Sequence, residues 1–415
     1  MAEILFVSHR IPYPPNKGDK IRAFQLIQAL KKLNHKVTCA FPTEHKEDYV
    51  YVNQLKNFCD HLIYPKAYKS RFQNHVNTIK GLLTNNSLTQ MIGFDPALYK
   101  RLEANRMHYD VVIFYSAISY FYKDAIDYKT AICDFVDMDS YKWQEYADLA
   151  LFPMSWIYKR EAKLLKTLEV DIAQNVNQSF FVTDSEKKLF IDENKQTQFR
   201  NPIDSIECSV DTTRFNAKLS YTNPFLSQHR DDINFVMTGA MDYKPNYDGA
   251  LFFINQVLPY IQQQTKKTIN FYCVGRNPVA KLKQQHNPNN HVVITGSVDD
   301  VKPYMSHSLA CVAPLFIGRG IQNKVLEAMA MGKTCFVSPN AFEGIDAQNN
   351  THLVLCETLQ DWRKHLVNAI DNPENLKIIG EAATHHVSHR YHASHIQDKL
   401  KIIIEDLLQK NGLDL

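Results

Sequence analysis

Ile233-Asn-Phe-Val-Met-Thr-Gly-Ala-Met-Asp-Tyr-Lys-Pro-Asn246 decides the fold class. A short, β-rich apolar run leads straight into a glycine, and Pro-Asn then opens a helical pattern. The apolarity of the run is continuous, not alternating, which suits a parallel strand covered on both faces. The same succession recurs along the chain: apolar runs at Ile4 to Ser8, Val37 to Phe41, Val111 to Tyr115, Ala131 to Val136 and Phe180 to Thr183 precede it, and Ile269 to Val274, Val292 to Thr295, Leu309 to Pro314, Thr334 to Ser338 and His352 to Leu355 follow. Longer helical patterns separate them, which is α/β order. At 415 residues the chain exceeds what one core serves, so two Rossmann-like domains are expected. The polar stretch Asn201 to His229, with Pro202 and Pro224, is the linker candidate. The domains are placed at 1–217 and 218–388, with a closing helical segment at 389–415 that is amphipathic through Ile396, Leu400, Ile403, Ile404, Leu407 and Leu408.

Composition narrows the function classes. A net charge of +3 with 22% charged residues gives no bulk electrostatic case for nucleic acid. The eight cysteines never occur as Cys-x-x-Cys and several sit inside apolar runs, which reads as buried thiols in a reducing compartment. The N-terminal Met-Ala-Glu-Ile-Leu-Phe-Val has no basic region and reads as a strand, not a signal peptide. No apolar stretch is long enough to span a bilayer, so the chain is expected in the cytoplasm, with contact at the inner membrane face left open.

In an open parallel sheet, ligands bind beyond the carboxyl ends of the strands, so the loops there carry most of the weight. The strongest signal is Arg319-Gly-Ile-Gln-Asn-Lys-Val-Leu-Glu-Ala-Met-Ala-Met-Gly332, a glycine-bracketed loop opening into a helix. A helix start offers unpaired backbone N–H groups and a positive dipole end to phosphate, and Lys324 adds a full charge. Glu327 lies on the same helical face, where it suits two vicinal ribose hydroxyls. A nucleotide diphosphate fits this set; an ordinary amphipathic core helix is the alternative. Gly239 with Lys244, Gly275 with Arg276, and Gly296-Ser-Val298-Asp299 follow three successive strand runs, where diphosphate, base and ribose would lie. After the first strand, a proline-rich loop ends at Gly18, with Arg10, Lys17, Lys20 and Arg22 as nearby cations. No Gly-x-Gly-x-x-Gly occurs, which argues against a nicotinamide or flavin enzyme. Asp137 and Asp139 follow the Ala131 to Val136 run; they read as contacts to acceptor or donor-sugar hydroxyls in preference to a metal pair or helix caps.

Three further segments stand apart. His385, His386, His389, His392 and His395 fall at near-helical spacing without acids or cysteines beside them, and read as a solvated or packed helix. Tyr146 to Tyr158 (YADLALFPMSWIY) reads first as a core helix pair kinked by Pro153, and second as an interfacial membrane segment. The basic, aromatic stretch Tyr64 to Gly81, with Lys66, Tyr68, Lys69, Arg71, Phe72 and Lys80, reads as a solvated helix or a contact for anionic lipid head groups.

Taken together these motifs resemble the family 4 retaining glycosyltransferases of the GT-B fold, and more narrowly the sugar transferases of bacterial exopolysaccharide systems. The carriers are Gly18-Asp-Lys-Ile-Arg22, Asp134-Phe-Val-Asp-Met-Asp-Ser140 with Trp143, Gly239 to Asn246, Val274-Gly-Arg276, Thr295-Gly-Ser-Val-Asp-Asp300, and Arg319 to Ala330. The resemblance implies two Rossmann-like domains facing a cleft, with the final helix crossing back onto the first. It implies a sugar transfer from a UDP- or GDP-linked donor to a glycan or lipid-linked acceptor, with retention and without a metal or separate cofactor. Glu327 matches the second acid of the family's Glu-x7-Glu motif, which holds the donor ribose. Gly18 matches the glycine near the diphosphate. Gly320, Ile321 and Asn323 fall in the donor loop, and Arg319 stands where the family has its first acid. Arg319 and Lys324 are then the expected carriers of diphosphate charge. A nucleotide-sugar epimerase and a degenerate nucleotide-binding protein are the rival readings.

Overall fold

Seven strands, all parallel, make the first sheet of the computed structural model, which describes residues 1–415 apart from 44–47, 67–80, 82–83, 85, 106, 318–319, 411 and 413–415. They are β1 (Glu3–Ser8), β2 (Lys36–Ala40), β3 (His61–Ile63), β4 (His108–Tyr115), β5 (Asp127–Val136), β6 (Gln178–Phe181) and β7 (Ile203–Ser205), in the order β3-β2-β1-β4-β5-β6-β7. β1 shows why its apolarity is unbroken. Ile4 and Phe6 join one buried cluster while Leu5 and Val7 join the cluster on the opposite face. Helix α1 (Gly18–Lys32) covers the first face with Ala23, Phe24, Leu26, Ile27 and Leu30. On the second face lie residues of the long pair α2 (Asp139–Leu149) and α3 (Met154–Asn175), which run side by side.

The second sheet has six parallel strands: β8 (Ile233–Thr238), β9 (Ile269–Val274), β10 (Val292–Gly296), β11 (Ala310–Ala313), β12 (Cys335–Val337) and β13 (Val354–Leu355), ordered β10-β9-β8-β11-β12-β13. Its core gathers α4 (Lys244–Phe252), α5 (Asn323–Ala330) and α6 (Pro373–Arg390) through residues such as Leu251, Val325, Met329 and Ala383. The last helix, α7 (Ala393–Lys410), leaves this core. Its Ile396, Leu400, Ile404, Leu407 and Leu408 pack into the α1 face of the first sheet.

The chain forms two compact units, one of residues 1–208 with 393–415 and the other of residues 209–392. All eight cysteines are free and buried. The edge strands β3 and β7 have three residues each and mix polar with apolar side chains, so they leave no apolar run to read; β7 lies within the polar stretch marked as linker. The Tyr146 to Tyr158 segment forms the expected helix pair, but its turn is not core. Leu151 is 87% exposed and Phe152 83% exposed. No described helix is long and apolar enough to cross a membrane.

Candidate functional site

In the second sheet the strand order reverses between β8 and β11. The carboxyl ends of these two strands are therefore where a parallel sheet opens for a ligand. Gly239 leaves β8 at this point, and a Cβ built on it would stand 2.7 Å from Asn246 Nδ2 and 3.3 Å from Lys324 Nζ. Only glycine lets the backbone pass this close. Lys324, in the first turn of α5, donates to Asn246 Oδ1, and Asn246 Nδ2 donates to the Ala240 carbonyl at 2.9 Å. The starts of α4 and α5 thus meet beside Gly239, and α5 begins after its N-cap residue Gln322, whose side chain does not cap the helix amides. Gly249 on α4 is needed for the same closeness, because a Cβ there would collide with the Pro314 carbonyl after β11.

The neighbouring loops are stitched to this point by backbone bonds. Gly239 N donates to the Val274 carbonyl (3.1 Å), Met241 N to Arg276 (2.8 Å), and Gly275 N to Gly296 (3.2 Å). A side chain at Gly275 would drive into the Gly239 carbonyl. Arg276, after β9, has a buried Nη2 without a hydrogen-bond partner. A buried guanidinium donor left over in this way is a site waiting for an acceptor. Val298, after β10, packs beside Tyr272, Val274 and Val293, and Gly296 turns the chain there with φ 71°. Gly320 has φ 76°, and the tight turn at Gly344 lies directly against it and Ile321. Asn323 is the first residue of α5. Lys244 goes elsewhere: it pairs with Asp248 one turn along α4 and lies over the Tyr247 ring at 5.8 Å. Arg319 lies outside the described residues.

The charges at this edge are tuned by burial. Desolvation pulls the Lys324 ammonium down to about 8. Burial pushes the Glu327 carboxyl up to about 7, against the pull of Arg214, Lys324 and Lys302. Arg214 and Lys302 are contributors that the local motif does not reveal. They stand 113 and 25 positions before Glu327 in the sequence.

In the first unit Gly18 opens α1 at the exposed carboxyl edge. The next residue, Asp19, gathers the loop: His9 Nε2 lies 3.4 Å and Arg10 Nη1 3.2 Å from its carboxylate, and Tyr115 donates to its carbonyl at 2.7 Å. Burial opposes the charge on Asp19, but the His9 hydrogen bond and Arg10 hold its carboxyl well below the ordinary range. Arg22 does not face this loop. It is turned inward into an ion pair with Asp134 at 2.8 Å, both side chains being 1% exposed.

Asp137 and Asp139 stand together just beyond β5. Val136 precedes them with φ 70°, a conformation unfavourable for a β-branched residue, and a bulge interrupts its pairing with β6. Two distant acids close around them. Glu186 accepts from Met138 N at 2.8 Å, and Glu169 accepts from Ser140 N at 2.9 Å. Burial first, then the charge of Glu186, raises Asp137 to about 7, and burial raises Glu169 to about 8. Asp139 pairs with Lys142 at 3.5 Å.

The histidines on α6 pack with each other and with backbone. His385 stacks near His389 (4.3 Å), His386 stacks on His352 (4.1 Å), and His386 also bonds the Asp346 carbonyl. The Tyr64 to Gly81 stretch, read as a solvated helix or a lipid contact, rests largely on Tyr68, Lys69, Arg71, Phe72 and Lys80, which lie outside the described residues.

Residues 232–372 match the family model described as Glycosyl transferases group 1. A curated relative, described as an uncharacterized 44.6 kDa protein in the cps region of Klebsiella pneumoniae, is 18% identical over 94% of this chain and 97% of its own. Among solved structures, sucrose-phosphate synthase from Thermosynechococcus elongatus superposes with a TM-score of 0.70 at 14% identity, covering 99% of this chain and all (100%) of that one. Anabaena HepE, solved with UDP-glucose, gives a TM-score of 0.66 at 13% identity, over 98% and 100% of the two chains. Gly239, Lys244, Arg276, Val298, Gly320, Ile321, Asn323, Lys324 and Glu327 all lie within the span matched by the family model, whereas Gly18, Asp137 and Asp139 lie before it. The chain thus has the GT-B fold, and its residues 232–372 carry a domain matching the Glycosyl transferases group 1 family.

Proposed function

We propose that this protein is a metal-independent, retaining glycosyltransferase that moves a sugar from a nucleotide-sugar donor to a saccharide or lipid-linked acceptor in surface polysaccharide synthesis. The observation that carries the reading is the meeting of Gly239, Asn246 and Lys324 at the switch point of the second sheet, with Glu327 one turn along α5. Backbone amides, one ammonium and the buried Arg276 donor supply what a diphosphate leaving group needs as negative charge grows on it. Glu327, once ionised, accepts from the two ribose hydroxyls. Asp137 and Asp139 are assigned to acceptor or donor-sugar hydroxyls, and Gly18 to the approach of the first domain's backbone to the diphosphate. Arg319 is assigned to the diphosphate charge. The donor class draws support from the Anabaena relative solved with UDP-glucose, and the polysaccharide role from the Klebsiella cps-region relative.

A thermal-shift screen against UDP-, GDP- and other nucleotide sugars tests the reading, because a ligand that binds only the folded state raises the melting temperature by mass action. One base class should stabilise the protein, and Glu327→Ala should abolish that shift while leaving the unliganded melting temperature in place. Stabilisation by no nucleotide sugar, or an unchanged shift in the variant, would count against it. Conversion of donor without acceptor would favour the epimerase reading, and loss of transfer in EDTA would remove metal independence.

A further inference from the structure

The α2–α3 turn carries a surface that sugar transfer does not explain. Of the fifteen large apolar side chains exposed among the described residues, five fall within eight positions: Leu149 (70%), Leu151 (87%), Phe152 (83%), Met154 (42%) and Trp156 (57%). The others are scattered, which is ordinary for a folded surface, whereas a contiguous apolar patch marks an interaction site. The turn is also raised. Glu169 of α3 ties the start of α2 by accepting from Ser140 N at 2.9 Å. From Ser140 to Leu149 helix α2 rises about 14 Å at 1.5 Å per residue. The pair therefore extends past the end of β5, with Trp143 packed on Tyr158 (5.3 Å) and Tyr146 on Tyr158 (6.3 Å) across it.

The charge around this apolar turn selects its occupant. In the turns of α3 that follow, Lys159 and Lys163 are exposed. Arg160 is met by the carbonyls of Gly81 (2.8 Å) and Asn86 (3.3 Å), so its positive charge persists. On the α2 side Asp148, hydrogen-bonded by Gln144 at 2.8 Å, keeps its negative charge beside Leu149, set against the three positive charges of Lys159, Arg160 and Lys163. Apolar side chains with a tryptophan at the end and cations one to two turns behind match the layering of an anionic bilayer, acyl boundary first and phosphate next. We propose that the turn from Leu149 to Trp156 inserts into the interfacial layer of an anionic phospholipid membrane. The inference stands independently of the reaction proposed above.

The test is binding of the full chain to vesicles of phosphatidylcholine with and without phosphatidylglycerol, read by co-sedimentation and by tryptophan fluorescence. The protein should sediment with the anionic vesicles, its emission should shift to the blue, and acyl-brominated lipid should quench it. Leu151→Ser with Phe152→Ser should lower partitioning by at least about tenfold, given what burying one large apolar side chain contributes. Lys159→Glu with Lys163→Glu should remove the preference for anionic vesicles. Trp156→Phe should sediment as before yet lose the blue shift and quenching. All these positions are exposed or loosely packed, and an unchanged melting temperature confirms the fold. Undiminished sedimentation of the Ser variant, a blue shift persisting in Trp156→Phe, or a lipid-free dimer that the Ser variant dissolves would each overturn the proposal.

Discussion

Lys324 of α5 is hydrogen-bonded to Asn246 of α4, and this bond crosses the point where Gly239 leaves β8. A desolvated ammonium held by a neutral amide is poised for an anion. Lys324→Met should therefore weaken binding of UDP or GDP, whichever the screen identifies, by roughly 10- to 150-fold, the equivalent of about 1.5–3 kcal/mol for a hydrogen bond to a charged group. The unliganded variant should be at least as stable as the parent at neutral pH. Burial lowers the Lys324 pKa, so folding opposes the charged form there, a cost that fades only as pH rises from about 8 toward the unfolded value. Calorimetry of nucleotide binding and a thermal melt check both halves.

In the roles proposed above, Glu327 and Lys324 set opposite pH limits on donor binding. Glu327 must be ionised to accept from ribose hydroxyls, and burial raises it to about 7. Lys324 must be protonated to meet a diphosphate, and burial lowers it to about 8. The kcat/KM for donor should accordingly rise through pH 7 and fall above pH 8, since this ratio reports groups of the free enzyme. Asp137 also titrates near 7. Glu327→Gln separates the two: it should lower the plateau and, where Glu327 sets the acid limb, flatten that limb. An acid limb unmoved in Glu327→Gln would assign it to Asp137 instead.

Gly239 and Gly275 should fail differently when replaced by alanine. At Gly239 the new methyl meets the far ends of the Asn246 and Lys324 side chains, which can swing aside, while the φ of 155° strains an alanine, so the protein should fold with some thermal loss and lose nucleotide affinity. At Gly275 it meets the Gly239 carbonyl, which belongs to a fixed backbone. Overpacking of that kind costs about 1–3 kcal/mol or more. Gly275→Ala should thus show a lowered melting temperature, and Gly239→Ala a raised Kd with a smaller thermal change.

The cluster at the switch point of the second sheet was legible in the sequence because its parts are local. Gly239 and Arg276 follow β8 and β9 within two residues, Gly320 and Asn323 through Glu327 lie in the loop and helix after β11, and parallel topology brings all those ends to one edge. Ile233–Thr238 and Ile269–Val274 match the strands residue for residue, since full burial on both faces leaves a continuous apolar signal. The acid cluster was not legible. Glu169 and Glu186 sit 32 and 49 positions after Asp137 on separate helices, and only the fold joins them. Arg22 misled for a related reason: its motif suggests a cation facing the loop, but the partner that turns it inward is Asp134, more than a hundred residues away. The exposed turn of α2 and α3 was misread as core because periodicity reports an apolar face and not what covers it.

The Arg22–Asp134 pair gives the last prediction, because it links stability of the first unit to the position of Asp137. Both side chains are buried, and Arg22 also reaches the Ile206 carbonyl and Cys208 Sγ. Asp134 Oδ1 in turn accepts from Val136 N at 3.0 Å, which holds the positive φ that carries the chain to Asp137. Arg22→Met alone leaves a buried carboxylate without its counter-ion and should cost about 3–5 kcal/mol, and Asp134→Asn a similar amount for the stranded guanidinium. In the double variant both charges are gone, so its loss should fall short of the sum by at least about 2 kcal/mol, the coupling between the two sites. Hydrogen exchange of β1 and β5 amides measures this within the first unit. Additive losses would mean that the pair contributes by shape and not by charge. In the Asp134→Asn variant the Val136 bond can persist through the amide oxygen, so kcat should fall less than in Asp134→Ala, where the turn before Asp137 loses its acceptor altogether.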